Sequence, residues 1–242
     1  MTKTTQTARI PRGDRTRNPR GQWRAPAGLI LLALLPVLAG ALRLTELTGE
    51  AVATPQNARF LDSPVPIVTH IVSATVFSLL GALQFIPALR RPTPGWHRVA
   101  GRILIPAGLL AALSGMYMAV VYPHPPGDGI ALIVLRVIFG SVMAASIGQG
   151  IRAIVRRDFT GHGEWMTRAY AIGVAAGTQM LVLIPGSILF GPTDELSRAV
   201  LMGTAWVINL SVAEYVIRRR ARWARRPELH PSAAVPRGPR SS

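Results

Sequence analysis

The amino-acid sequence predicts an all-α, polytopic transmembrane bundle of six helices, with both termini on the cytoplasmic side. Three observations point there. Hydrophobic residues make up 49% of the 242 positions and charged residues only 16%. Six apolar runs of about 20 residues or more, the length needed to cross a hydrocarbon core of roughly 30 Å, are separated by short breaks rich in proline, glycine or charge. Lysine and arginine gather at the chain ends and in alternate connectors.

The runs cover residues 25–44, 65–89, 98–122, 129–155, 165–190 and 196–217. The first is long and lacks a convincing cleavage site, so it reads as a span and not as a signal peptide. The breaks read TPQNARFLDSP, RRPTPGWH, PHPPGDG, RRDFTGHGE and FGPTDE. Pro36, Pro106 and Pro185 fall inside spans one, three and five, where kinks are expected and neighbouring groups can satisfy the freed carbonyls. The spans lack the continuous polar faces of a soluble helical bundle.

Orientation follows from the positive charges. Residues 1–24, the connectors after spans two and four, and residues 218–242 hold most of the Lys and Arg. The other side has Arg43, Arg59 and Arg198 among the acids Glu46, Glu50, Asp62, Asp128, Asp194 and Glu195. The expected organisation is a disordered basic tail over 1–24, a transmembrane domain over 25–217, and a second basic tail over 218–242. Such tails would lie against anionic lipid headgroups at the cytoplasmic face. The net charge of +16 therefore points to a lipid bilayer as partner and not to nucleic acid. With no cysteine in the chain, disulfides, thiolate metal sites and cysteine nucleophiles are excluded.

The functional signal lies in polar residues within or beside the spans. Arg136 stands about seven residues into span four, where a charge costs about 3 kcal/mol even on lenient insertion scales. It shares helical spacing with Gly140, Ala144 and Gly148, small residues that let helices approach. It either faces the bundle interior or snorkels outward. His70, at the outer end of span two, begins a stripe with Ser73, Gly81 and Gln84; the histidine suits a hydrogen bond to a neighbouring helix or a ligand-binding, proton-carrying role. His97 aligns with Gly101, Gly108 and Gly115 on one face of span three, and His162 with Ala169 and Gly173 on span five. Arg98, Arg102 and Arg168 would surround these two histidines at the cytoplasmic edge, with Trp96 and Trp165 anchoring the helix ends. The alternative is a solvated connector. His124 and His230 read as incidental, and Glu214 as a partner for nearby arginines. Gly-x-Ser-x-Gly, His-Glu-x-x-His, Walker A and dinucleotide fingerprints do not occur.

With these residues in view, the chain resembles a family of predicted bacterial membrane proteins catalogued as domain of unknown function 2306. The similarity runs from about His70 to Pro185. It rests on His70, GALQF at 81–85, HRVAGRI at 97–103, LSGMYMA at 113–119 and HGEWMTRAYA at 162–171. Where that family usually has His-Arg-x-Trp-Met, this chain has Gly163 in place of the arginine, followed by Glu164. The resemblance implies a multi-helix bundle, multi-pass in the bacterial cytoplasmic membrane, and carries no established activity.

Two specific roles fit the residues. One is a b-type haem protein that moves electrons: His97 and His162 would be axial ligands to the haem iron, and Arg98, Arg102 and Arg168 would pair with propionates. His70, with Arg136 and conceivably His124, would form a second site. The other is a binding or transport protein for a small anion or lipid headgroup, with His70 and Arg136 lining a polar path. An accessory protein that holds partners through its spans or tails needs no ligand.

Overall fold

The computed structural model describes residues 19–49, 52–55, 57–86, 94–125, 127–191 and 193–225. They form helices α1 (Pro19–Thr48), α2 (Ala58–Asp62), α3 (Pro64–Leu83), α4 (Pro94–Val121), α5 (Ile130–Val155), α6 (Phe159–Gly173), α7 (Ala175–Phe190) and α8 (Glu195–Ala224), with no strand among the described residues. Six segments are long and apolar enough to cross a membrane, α6 and α7 together making the fifth. The chain is thus a polytopic α-helical membrane bundle. His230 and residues 1–18 lie outside the described residues.

The helix ends follow from local chemistry. Pro64 opens α3, where its missing N–H is not needed. The Asp158 carboxylate caps α6 by accepting from the Gly161 N–H at 2.8 Å, and Asp194 caps α8 by accepting from the Ser197 N–H at 2.7 Å and its hydroxyl at 3.0 Å. Between α5 and α6, Arg157 adopts a left-handed φ of 61°. Its N–H and that of Asp158 reach back to the carbonyls of Ile154 and Ala153, so this turn closes α5 as a left-handed cap. Pro36, Pro106 and Pro185 sit inside helices that continue past them. Helix α8 runs beyond residue 217, the end expected from hydropathy, to Ala224. No proline or glycine intervenes before Pro227, and Ala and Arg favour helix. Arg218, Arg219 and Arg222 therefore stand on a helix and not in a tail.

Short connectors make consecutive spans antiparallel neighbours. One end of the bundle carries the starts of α4 and α6 and the end of α8, and is called the basic end. The other carries α2 and the connectors at 122–129 and 191–194. The interior is built of small residues and a few rings: Ala82, Ala107, Ala112 and Ala169 pack with Phe77, Met143, Ile147 and Tyr170. Large apolar side chains such as Leu31, Leu42, Val134, Ile188 and Val212 lie on the outside. That distribution suits lipid, which gives apolar side chains no drive inward.

Close approaches fall where glycine permits them. A Cβ on Gly108 would lie 2.6 Å from the Phe77 ring, and one on Gly173 2.7 Å from the same ring. Gly177 of α7 sits directly on the Leu32 carbonyl of α1. Gly140 packs on Met116. Gly101 and Gly148, expected on the same close-packing faces, have nothing within 4 Å among the described residues. Near the basic end Gly150 packs on Met166 of α6, while on the face that begins at His97 the close contacts start at Gly108 and not at Gly101.

Span five is interrupted at Val174, between α6 and α7. Asn209 of α8 bridges the interruption. Its Nδ2 donates to the Ala171 carbonyl at 3.0 Å, and its Oδ1 accepts from the Thr178 hydroxyl at 2.8 Å. In hydrocarbon these bonds have no water to compete with them. Asn209→Leu, which keeps the volume and removes both bonds, should lower stability in detergent by about 1 kcal/mol. Thr178→Val should add little on top of it. Additive losses in a double-mutant cycle would show that the two side chains are not coupled.

Candidate functional site

A cavity of about 350 Å³ opens between the spans toward the α2 end. Its walls are largely apolar, formed by Phe77, Met116, Met143, Ile172 and Trp206, while His70, Arg136, Arg59, His124 and Asp128 bring charge and hydrogen bonding to it. The volume lies within the usual range for small-molecule sites. The interruption of span five borders it through Ile172, Gly173 and Ala176.

His70 is held from α4. Its Nδ1 lies 2.9 Å from the Ala111 carbonyl and 3.2 Å from the Ser114 hydroxyl. A carbonyl only accepts, so Nδ1 carries the proton, and in the neutral ring Nε2 keeps its lone pair. Gly115 makes room for the imidazole: a Cβ there would stand 3.1 Å from the His70 Cε1. Of the two readings of Arg136, the interior one holds. Its guanidinium donates to the Asp128 carboxylate at 2.7 Å, and its side chain is 28% exposed against 3% for Asp128.

Asp128 also meets Arg198 of α8. The Arg198 Nε lies 2.9 Å from Oδ1, at charge-contact distance but out of line for a hydrogen bond. One buried carboxylate thus serves two guanidinium groups. Arg59 adds to it from α2, donating to the Pro123 carbonyl at 3.4 Å. Burial pulls the Arg59 guanidinium below its ordinary value; Asp128 pushes it back up, while Arg136, Arg43 and Arg198 depress it further. It remains charged at neutral pH. Phe60 lies between Arg43 and Arg59, 4.9 and 4.5 Å from its ring centre. The Tyr122 hydroxyl donates to the Ser63 carbonyl. These contacts fix α2 over the mouth. His124 donates through Nε2 to the Ala119 carbonyl at 2.9 Å and lines the cavity.

The other expected residues lie at the basic end, and neither His97 nor His162 lines this cavity. His162 donates from Nδ1 to the Gly150 carbonyl at 2.9 Å, pinning the first turn of α6 to α5 and again leaving Nε2 with the lone pair. His97 is half-buried in the first turn of α4. Arg98 and Arg102 are exposed. Arg168 is engaged by Glu214 of α8, at 2.5 and 3.2 Å, and stacks over Trp165 at 4.7 Å. Glu214 is therefore the partner of an arginine, as its position suggested. Among the described residues no three His, Asp or Glu side chains converge as a metal cage.

Asp128, Arg198, Arg59 and Gln179 escaped sequence reasoning. Asp128 and Arg198 were legible only as charges on the less basic side, and their pairing depends on a connector meeting the first turn of α8 in space. Gln179 is 8% exposed and lines the cavity from α7; a single amide in an apolar run was its only signal.

A helical membrane bundle with a basic-mouthed cavity between its spans is the class of protein these observations define. The chain belongs to the family described as predicted membrane protein DUF2306, whose model matches residues 67–217. That stretch takes in the whole cavity wall except Arg59 and Phe60. No curated protein and no solved structure matches the chain.

Asp128→Asn would leave Arg136 and Arg198 without the carboxylate they share. Because both guanidiniums are partly exposed, the cost should be about 2 kcal/mol, less than the 3–5 kcal/mol of a fully buried pair. It reads as a lower thermal midpoint that Arg198→Gln partly restores. No restoration in the double variant would mean that Asp128 matters for some reason other than these charges.

Proposed function

We propose that this protein binds a small amphipathic molecule with an anionic head in the cavity beneath α2. One observation carries the reading: His70 and Arg136, two polar residues that hydrocarbon would exclude, face one largely apolar cavity whose mouth holds more guanidinium than carboxylate. Phe77, Met143 and Trp206 suit the apolar body of the ligand. Arg136 and Arg59 suit its acidic head, and the lone pair on the His70 Nε2 offers a hydrogen-bond acceptor beside it. The reading includes a setting, the bacterial cytoplasmic membrane with both termini cytoplasmic and the basic end beside anionic headgroups, which the Lys and Arg asymmetry supports.

The test is native mass spectrometry of protein extracted in mild detergent, with dodecanoate and its uncharged methyl ester as probes. The acid should bind at least tenfold more tightly than the ester. Arg136→Gln should weaken the acid by about 10- to 100-fold, the range of one charge-assisted hydrogen bond, and leave the ester unchanged. Equal binding of acid and ester would remove the anionic head from the proposal, and no binding of either would remove the site.

A second reading is favoured by the tautomer of His70. An imidazole whose Nδ1–H is tied to a carbonyl offers Nε2 to a metal, and haem b is itself an apolar ring with two carboxylates. His70 would then be an axial ligand with Arg59 and Arg136 near the propionates. His162, tied in the same way to Gly150, with His97, Arg98 and Arg102 would form the inner site. Bound haem would supply reversible one-electron transfer. Protein produced with ample haem should then show a Soret band and a reduced-minus-oxidised difference spectrum, diminished by His70→Leu. A colourless protein would leave the first reading standing alone.

A further inference from the structure

The last turns of α8 carry a second concave surface, separate from the cavity. It has a volume of about 750 Å³, and its lining among the described residues comes from α8. Its residues change character along the axis. Val207 and Leu210 form the apolar half, Tyr215 stands between, and Arg218, Arg219 and Arg222 form the cationic half. From Val207 to Arg222 the helix rises about 22 Å at roughly 1.5 Å per residue. The groove therefore runs from hydrocarbon depth to the headgroup level. Tyr215 and Trp223, 63% and 61% exposed, are lining residues too, of the kind that favour a membrane–water boundary.

Glu214 also lines the groove, and a lone carboxylate would repel an anion. Here it is bound by Arg168, with Nε at 2.5 Å and Nη2 at 3.2 Å, so its charge is balanced from within the bundle. The three arginines on the groove are exposed.

We infer that this groove binds one anionic phospholipid, its phosphate held among Arg218, Arg219 and Arg222 and its acyl chains lying on Val207 and Leu210. The charge fits the headgroup, and the apolar half fits the chains. A free phosphate would use only the cationic half, and an acidic soluble partner would have no use for the apolar half. The inference deepens the reading that the basic end lies beside anionic headgroups. It turns a diffuse attraction into one site, and it is independent of what the α2-end cavity binds.

The experiment uses the full chain, delipidated in detergent and titrated with phosphatidylglycerol or with phosphatidylcholine of identical acyl chains, read by native mass spectrometry. Micelles expose both ends of the bundle equally, so an error in the assigned orientation leaves the measurement intact. One phosphatidylglycerol should bind at least tenfold more tightly than phosphatidylcholine. Arg218→Gln/Arg219→Gln/Arg222→Gln should abolish that preference. Arg152→Gln/Arg156→Gln/Arg157→Gln, which removes equal charge from the same end of the bundle, should preserve it. Millimolar inorganic phosphate should not displace the lipid. Equal affinity for the two lipids, equal loss in both triple variants, retention by the α8 variant, or displacement by phosphate would each overturn the inference. Should the α8 variant aggregate, Arg222→Gln alone, at an exposed position, carries the same test with a smaller loss.

Discussion

Hydrocarbon outside the bundle removes the usual reason for apolar side chains to turn inward, and the packing of this protein follows from that. Leucine, isoleucine and valine are as well solvated by lipid tails as by one another. What holds the spans together is close contact and polar bonding, and both favour small or polar residues inside. The interior of alanine and glycine around Phe77 and Tyr170 is the result. Phe77 packs into the space left by two glycines, Gly108 on α4 and Gly173 on α6, beside Ile147 and Met143 of α5, so one ring ties three helices.

The same constraint makes the interior polar groups informative. A buried guanidinium or imidazole finds no water, so it is held by a partner or it opens a site. Tyr170 donates to the Ser78 carbonyl at 2.7 Å and Asn209 bridges Ala171 and Thr178; both are absorbed by the fold. His70 and Arg136 are different. Each has an internal partner, and each also borders the same cavity. The Asp128 carboxylate is what makes this tolerable. It lets two arginines from different spans converge without full repulsion. The break in span five lies against this cavity, as interrupted helices in membranes do where they line a site.

The two ends of the bundle use arginine differently. At the α2 end, arginines converge on one acid and crowd one another. At the basic end they are spread along helix surfaces, with Arg168 drawn inward by Glu214 and Arg218, Arg219 and Arg222 projected outward by a helix that outruns its hydrophobic segment. Gly163 has no side chain to offer at the edge of α6, so the exposed arginines nearest it stand on neighbouring helices.

The sequence by itself determined the class of fold, the number of spans and which residues were out of place in them. Those properties depend on composition and on the thickness of a bilayer, which a run of apolar residues reports directly. It also marked His70 and Arg136, because a charge or an imidazole within a span carries its cost wherever the helix points. The tertiary structure alone decided that these two share a cavity and that His97 and His162 stand apart from it. It also decided that Arg168 is engaged by Glu214, that span five breaks at Val174 with Asn209 across it, and that Asp128 joins Arg136 to Arg198. Each of these depends on which faces of two or more helices meet. Periodicity fixes a residue's angle on its own helix but not the rotation of that helix against its neighbours.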